Sequence, residues 1–188
     1  VIRSDPDEGV GVASPSVHAR HNRRARLQRQ RQALLDLSTH GNWHGPGPAG
    51  GWAHITYLAA HALEVERVGV RLFSDDRSSR HSDTLFERST NSFSEPAKLA
   101  ISAVPTYARA LEGALAIAAV DAQRDTRTRD LADTYLQPLN IASLLHVPIR
   151  AAGKVIGVVA CEHRGTARRW SADEVDFATS LGALAALS

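Results

Sequence analysis

The chain has 188 residues, 43% hydrophobic and 22% charged, with one cysteine and a formal charge of +2. That is enough for one domain with its own core. No run of about 18 apolar residues offers a membrane span, and one thiol makes no internal disulfide, which fits a reducing, cytoplasmic setting.

The N-terminal stretch VIRSDPDEGVGVASPS is polar and lacks the apolar segment of a secretory signal. Without an initiator Met, the chain is expected to be a fragment or a processed form. Residues 1–19 show no period and read as a linker or tail. A helix is expected from about Arg20 to Leu37, with Leu27, Leu34 and Leu35 at helical spacing. It carries Arg20, Arg23, Arg24, Arg26, Arg29 and Arg31, whereas residues 32–188 hold 15 basic against 17 acidic side chains. The basic character is therefore local. With no interleaved aromatics and no second basic patch, it reads as a solvated face or connector, and nucleic-acid binding is disfavoured.

HGNWHGPGPAGG is a loop, since seven of its twelve residues are Gly or Pro. A second helix follows from about Trp52 to Glu64, its apolar side formed by Ile55, Leu58, Ala59, Ala62 and Leu63. In VERVGVRLF the period becomes two, so Val68, Val70 and Leu72 share one face of a strand, opposite Arg71 and Phe73. SDDRSSR is a turn, and HSDTLFERS a second strand returning as a hairpin. Pro105–Glu112 reads as a short helix with proline at its first position, LAIAAVD as a third strand, and Leu131–Leu136 as a short helix stopped near Pro138. ASLLHVPIRAAGKVIGVVACEHRG supplies two strands around a Gly-containing turn. Ser171 and Glu174 have capping-box spacing before a final helix over about 172–187, with Val175, Ala178, Leu181 and Leu184 on one stripe. Hairpins with helices segregated around them predict an α+β domain on an antiparallel sheet.

The segments ITYLAAHALEVERVGVRLF, YARALEGALAIAAVDA, YLQPLNIASLLHVPIRAAGKVIGVVACEH and RRWSADEVDFATSLGALAA resemble, in this order over about residues 30–187, a GAF domain of the bacterial type that precedes histidine kinase or diguanylate cyclase outputs. No residues of either output are present. The resemblance implies a single domain over residues 20–188 and a five- to six-stranded antiparallel sheet. The terminal helices would lie on one face and a ligand pocket, roofed by short helices and loops, on the other. It also implies a small-molecule sensor, with a homodimer formed through the terminal helices and an output domain beyond the C-terminus, and no catalysis within this chain. The last helix agrees, since its apolar stripe runs to the end of the chain. The alternatives are a ligandless dimerisation module, whose stripes merely cover the sheet, and a haem-based gas or redox sensor.

Specific cofactors are narrowed by the same resemblance. Tyr135-Leu136 and Ala142-Ser143-Leu144 match phytochrome-type GAF domains, but Leu131 and Ala132 occupy the Cys-His attachment positions, so covalent bilin at that site is excluded. The Asn-Lys-Phe-Asp-Glu set of cyclic-nucleotide GAF domains is missing, and no P-loop is present. Haem held through a histidine would fall to His146 or His163. Cys161 with His163, and His40 with His44, each offer too few ligands for a structural metal. Cys161 within an apolar strand reads as a small buried hydrophobe rather than a nucleophile.

Alternation puts Leu144 and His146 on one face of their strand and Ser143, Leu145, Val147 and Ile149 on the other. The mixed faces point to the pocket, and the resemblance to phytochrome-type domains implies that the positions of Arg71, Tyr135, Leu144, His146 and His163 line it. This gives a candidate pocket containing Arg71, Tyr107, Asp121, Tyr135, His146 and His163, floored by Phe73 and Leu144. A cation and imidazoles beside apolar surface suit a small, partly anionic or aromatic ligand. The competing readings are an Arg71 ion pair with Asp121 or Glu162, a hydrogen-bonded sheet histidine at 146, and plain packing for the two tyrosines.

Overall fold

Two periodicities divide this chain, and the boundary between them falls at Glu64–Arg67. The computed structural model describes residues 17–39, 50–73, 84–96 and 100–187. Before the boundary are two helices, α1 (Val17–Thr39) and α2 (Gly51–Leu63). Glu64 then takes a left-handed backbone with φ 54° and ends α2. After it come β1 (Arg67–Leu72), β2 (Thr84–Glu87), β3 (Ser92–Ser94), α3 (Pro105–Gly113), β4 (Ile117–Ala119), β5 (Ile141–Ala151), β6 (Lys154–Arg164) and α4 (Ala172–Ala185). Between β4 and β5 lie a 3-10 turn, Arg129–Leu131, and a single π-helical turn, Ala132–Leu136.

The strands form one antiparallel sheet in the order β3-β2-β1-β6-β5-β4. The long β5–β6 hairpin is closed by two residues with positive φ, Ala152 at 48° and Gly153 at 76°. Both signs match a type I′ turn, whose twist follows that of the strands. The α+β architecture is the expected one, with β3 as an additional short edge strand.

Alternation sorts the two faces. Val68, Val70, Phe86, Leu145, Val147, Ile149, Val159 and Cys161 form one aliphatic core with residues of α2 and α4. Val104, Tyr107, Leu111, Leu131, Tyr135 and Leu136 pack on Ile117, Ala119, Leu144 and Val158 of the other face. The second core is thus built from α3 and the irregular turns.

Several boundaries and phases differ from the sequence reading. Helix α1 starts at Val17, three residues earlier, and packs on α2, while α2 and α4 contact the strands. Gln30 and Ala33 are buried on α1, but Leu35 is 57% exposed, because α1 needs only the narrow stripe that faces α2. In α4 the buried residues are Glu174, Phe177, Ala178, Leu181, Gly182 and Ala185, a stripe that leaves Val175 and Leu184 half-buried at its edge, packed against the same core. Phe177 and the close approach permitted by Gly182 set that phase. A Cβ at Gly182 would stand 2.7 Å from Val147 Cγ1 and 3.1 Å from the Pro148 carbonyl. The capping box forms as expected: the Ser171 hydroxyl accepts from the Glu174 N–H, and Glu174 Oε2 accepts from the Ser171 N–H at 2.8 Å. Residues 1–16, the loop with His40 and His44, and the SDDRSSR turn through Asp83 lie outside the described residues.

Candidate functional site

The face of the sheet opposite α2 and α4 carries a buried polar cluster. Its residues come from four elements, each placing one or two side chains by simple geometry. On β1, Arg67, Gly69 and Arg71 share this face because Val68 and Val70 point to the aliphatic core. Register sets Arg67 opposite Glu162 on β6, Glu162 opposite Leu144 on β5, and His146 opposite Ala160. Helix α3, started by Pro105 at its first position, directs Tyr107 and Leu111 inward. The π turn brings Tyr135 and Leu136 down from above. Such turns re-aim a side chain that an α-helix would carry past the site.

The contacts run as a chain. Tyr107 Oη lies 2.7 Å from His146 Nδ1. His146 Nε2 stands 3.6 Å from Glu162 Oε1, beyond hydrogen-bond distance. Tyr135 Oη donates to the same Glu162 oxygen at 2.7 Å, and Arg71 Nη2 donates to Tyr135 Oη at 2.5 Å. The Arg71 guanidinium carbon also sits 4.9 Å from the centre of the Tyr135 ring. On the other side of the carboxylate, Arg67 Nε is 3.2 Å from Glu162 Oε2, and Arg67 Nη1 is 3.6 Å from Glu87.

Every member is close to fully buried. Relative exposure is 6% for Arg71, 3% for Arg67 and His146, 1% for Tyr107 and Glu162, and 5% for Tyr135. Burial drives both phenols well above the ordinary tyrosine value. Burial also works to raise the Glu162 carboxyl, yet His146, Arg67 and Arg71 outweigh it and hold that group below the usual glutamate value. Glu162 is therefore an anion among cations and donors.

Four polar atoms of this cluster are buried without an aligned hydrogen bond: Arg67 Nε, Arg71 Nε, His146 Nε2 and Glu162 Oε2. Arg67 Nε and Glu162 Oε2 still face each other as an ion pair, and His146 Nε2 faces Glu162 Oε1. Arg71 Nε is therefore the one of the four with no partner among the described residues, a costly arrangement that a ligand or ordered water completes. Beside the cluster is a recess of about 200 Å³ lined by Phe73, Ile101, Ala108, Leu111, Glu112 and Val155.

Of the residues singled out in the sequence, Arg71, Tyr107, Tyr135, Leu144 and His146 are brought together here, and Phe73 lies beside them in the recess wall. Two are not. His163 shares the strand parity of Cys161, so it lies on the opposite face, with Nδ1 2.9 Å from Glu66. Asp121 follows β4 at an exposed corner, 3.8 Å from Arg124 Nη1. Arg67 and Glu162 are the members that the candidate list lacked. Their parity with Arg71 and with Ala160 was readable, but their pairing across β1 and β6 was not.

The comparisons with known proteins identify this fold. The family model for the GAF domain matches residues 52–188. This chain belongs to the GAF family. GAF domains are sensory and regulatory modules of signalling proteins, and α1 precedes the matched region. Among solved structures, the GAF domain of a phosphoenolpyruvate-protein phosphotransferase from Coxiella burnetii superposes with a TM-score of 0.60 at 16% identity, over 88% of this chain and 93% of that one. The corresponding Acinetobacter domain gives 0.56 at 16% identity, over 86% and 90%. The chromophore-binding domain of the Stigmatella aurantiaca bacteriophytochrome gives 0.61 at 14% identity, over 87% of this chain and 59% of that one. At these identities the likeness establishes the fold. No curated protein matches the sequence.

Within the GAF frame, Leu131 is 1% exposed and packs into the roof of the polar face. Cys161, the sole cysteine, lies on the opposite face, where burial pushes its thiol up to about 12. It is oriented away from the cluster and is chemically quiet. Among the described residues no group of three or more His, Cys, Asp or Glu side chains is placed to hold a metal, and no helix is long and apolar enough to cross a membrane.

Proposed function

We propose that this GAF domain, running from α1 to α4, is a small-molecule-sensing regulatory module of a bacterial, cytoplasmic signalling protein. This reading is carried by the buried side chains of Arg67, Arg71, His146 and Glu162 on one face of the sheet, of which Arg71 keeps an Nε with no partner among the described residues. A ligand that satisfies them stabilises the state in which they are so arranged, and shifts the domain only by that difference in affinity. The route outward is short, because β5 carries His146 on one face while Val147 and Pro148 press against Gly182 of α4. In this reading α4 leads toward an output of the histidine kinase or diguanylate cyclase type, and the terminal helices pair two copies, with Leu35 exposed at 57% on α1 and Leu187 at 86% just past the end of α4.

A thermal-shift screen of the purified chain against metabolites tests it. A ligand at about a hundredfold excess over its Kd adds about 2.7 kcal/mol, which raises the Tm by roughly 5 °C or more. Its amide NMR shifts should map to α3, the π turn and β5. No stabilisation by any compound would overturn sensing.

The second reading, a ligandless dimerisation module, has its own support: the side chains of Tyr107, Tyr135, Leu144 and His146 fill this face themselves. It predicts a dimer by sedimentation and no ligand. Haem sensing meets an obstacle, since Tyr107 and Glu162 face the two ring nitrogens of His146, and an iron would have to displace one of them. A Soret band on haem titration would reverse that argument.

A further inference from the structure

Two arginines of β1 reach the same buried face, and they are treated differently. Arg67 has two carboxylates, Glu162 and Glu87, within 4.0 Å. Arg71, 6% exposed, has none among the described residues. Its Nη2 meets the neutral phenol of Tyr135, and its Nε is buried with no partner. Glu162 does not serve as its direct counter-ion, because that carboxylate already receives Tyr135 and pairs with Arg67. A buried guanidinium without a direct anion is a strongly unfavourable arrangement unless something else supplies the charge.

The surroundings specify what that something is. Phe73 follows Arg71 by two positions, so it lies on the same side of the chain about 6.6 Å further on. It forms the wall of the recess with Ala108, Leu111 and Val155. Tyr107 and Leu111 sit one helical turn apart on α3, so the recess and the polar cluster adjoin under one helix. At about 200 Å³ the recess has the bulk of roughly seven water molecules at about 30 Å³ each, the size of one ring or a branched chain. Glu112 stands in its lining, and its carboxylate disfavours a second negative charge on the ligand there.

We infer that the ligand is a small monocarboxylate with an aromatic or branched apolar body, its carboxylate on Arg71 and its body in the recess lined by Phe73, Ala108, Leu111 and Val155. The inference rests on the sensing reading above and narrows it to a chemical class. An arginine gives a carboxylate a side-on fork through Nε and Nη2, and the proposed carboxylate would take the buried, unpartnered Nε of Arg71 in this way, entering from the adjoining recess. Tyr135 then links the occupied guanidinium to Glu162 and the centre of the sheet.

The test is an amide NMR titration of the purified chain with phenylacetate and with phenylacetamide, which has the same shape and no charge. Phenylacetate should shift the amides of Arg71, Phe73, Ala108 and Leu111 saturably, and phenylacetamide should bind about 30-fold more weakly. Arg71→Gln should weaken phenylacetate by a similar factor. Ala108→Phe, which fills the recess and leaves the guanidinium in place, should abolish binding. The acid–amide pair on the wild-type chain and Ala108→Phe decide the matter if Arg71→Gln fails to fold. Equal binding of acid and amide would overturn the inference, as would undiminished binding to a folded Arg71→Gln chain. So would the absence of binding by phenylacetate, benzoate and isovalerate at millimolar concentration. A neutral or cationic compound that stabilises the chain and shifts the same amides would sink the carboxylate inference while leaving sensing intact. A wild-type chain stabilised by nothing would sink both.

Discussion

The two faces of the sheet are built by opposite means. Against α2 and α4, the strands present Val68, Val70, Leu145, Val147, Ile149 and Val159, and the core there is aliphatic. Under α3 and the π turn, the same strands present Arg67, Arg71, His146 and Glu162 between apolar neighbours. The first face is covered by two regular helices of 13 and 14 residues, the second by a nine-residue helix and single turns. Long helices bury area without needing detail. Short elements bury less, but they can set individual side chains over individual strand positions. The contrast teaches that stability and specificity are divided across one sheet.

The sharpest way to break this contrast is at Glu162. Glu162→Ala leaves Arg67 buried without its innermost carboxylate and should cost about 4 kcal/mol, read by urea denaturation. The milder Glu162→Gln separates charge from shape through pH. Because the folded carboxyl titrates below its ordinary value, its stabilisation is complete above about pH 4.3 and is lost as pH falls through that value and then through the lower folded one. The variant should lose that part of the acid limb, and an unchanged limb would refute the charged role of Glu162.

On the aliphatic face, Leu181→Ala should cost about 3 kcal/mol with no change in the acid limb. Gly182→Val forces a side chain into Val147 and Pro148 and should cost about 2 kcal/mol by the same measurement. If either variant altered ligand response as strongly as stability, the division between faces would be less strict than drawn here. Ser171→Ala removes one half of the capping box and should cost about 1 kcal/mol. The smallest effect is expected at Cys161, whose thiol should resist iodoacetamide at pH 8 in the folded chain and react only on unfolding. Fast labelling of native protein would show that β6 opens locally.

Much of this division was legible beforehand, and the misses have physical causes. Strand parity placed Arg71, Leu144 and His146 together because a period of two needs no knowledge of partners. The same rule, applied to Cys161 and His163, puts both on the helix side, so the pocket position given to His163 through family resemblance conflicts with its own strand. Asp121 closes the expected strand LAIAAVD, but β4 ends at Ala119, and the chain has already turned outward. Glu162 looked like an ion-pair alternative to a ligand. It is instead the hub on which Tyr135 and Arg67 converge. The stripe of α4 was read too narrowly: Ala178 and Leu181 are buried and Val175 and Leu184 pack at the edge of the core, but only contact with the sheet adds Phe177 and Gly182 to it.

Local rules in the sequence determined the elements: period two for β1, β5 and β6, proline at the start of α3, and the Ser171–Glu174 box before α4. These are interactions between residues a few positions apart, and they survive without knowledge of the rest. Tertiary structure alone decided that Arg67 meets Glu162 across 95 positions and that Arg71, four residues further along the same strand, meets a phenol and no carboxylate among the described residues. Register and the descent of the π turn are properties of the closed sheet. The difference between an arginine paired directly with a carboxylate and one linked to it only through a phenol exists only once that sheet is assembled.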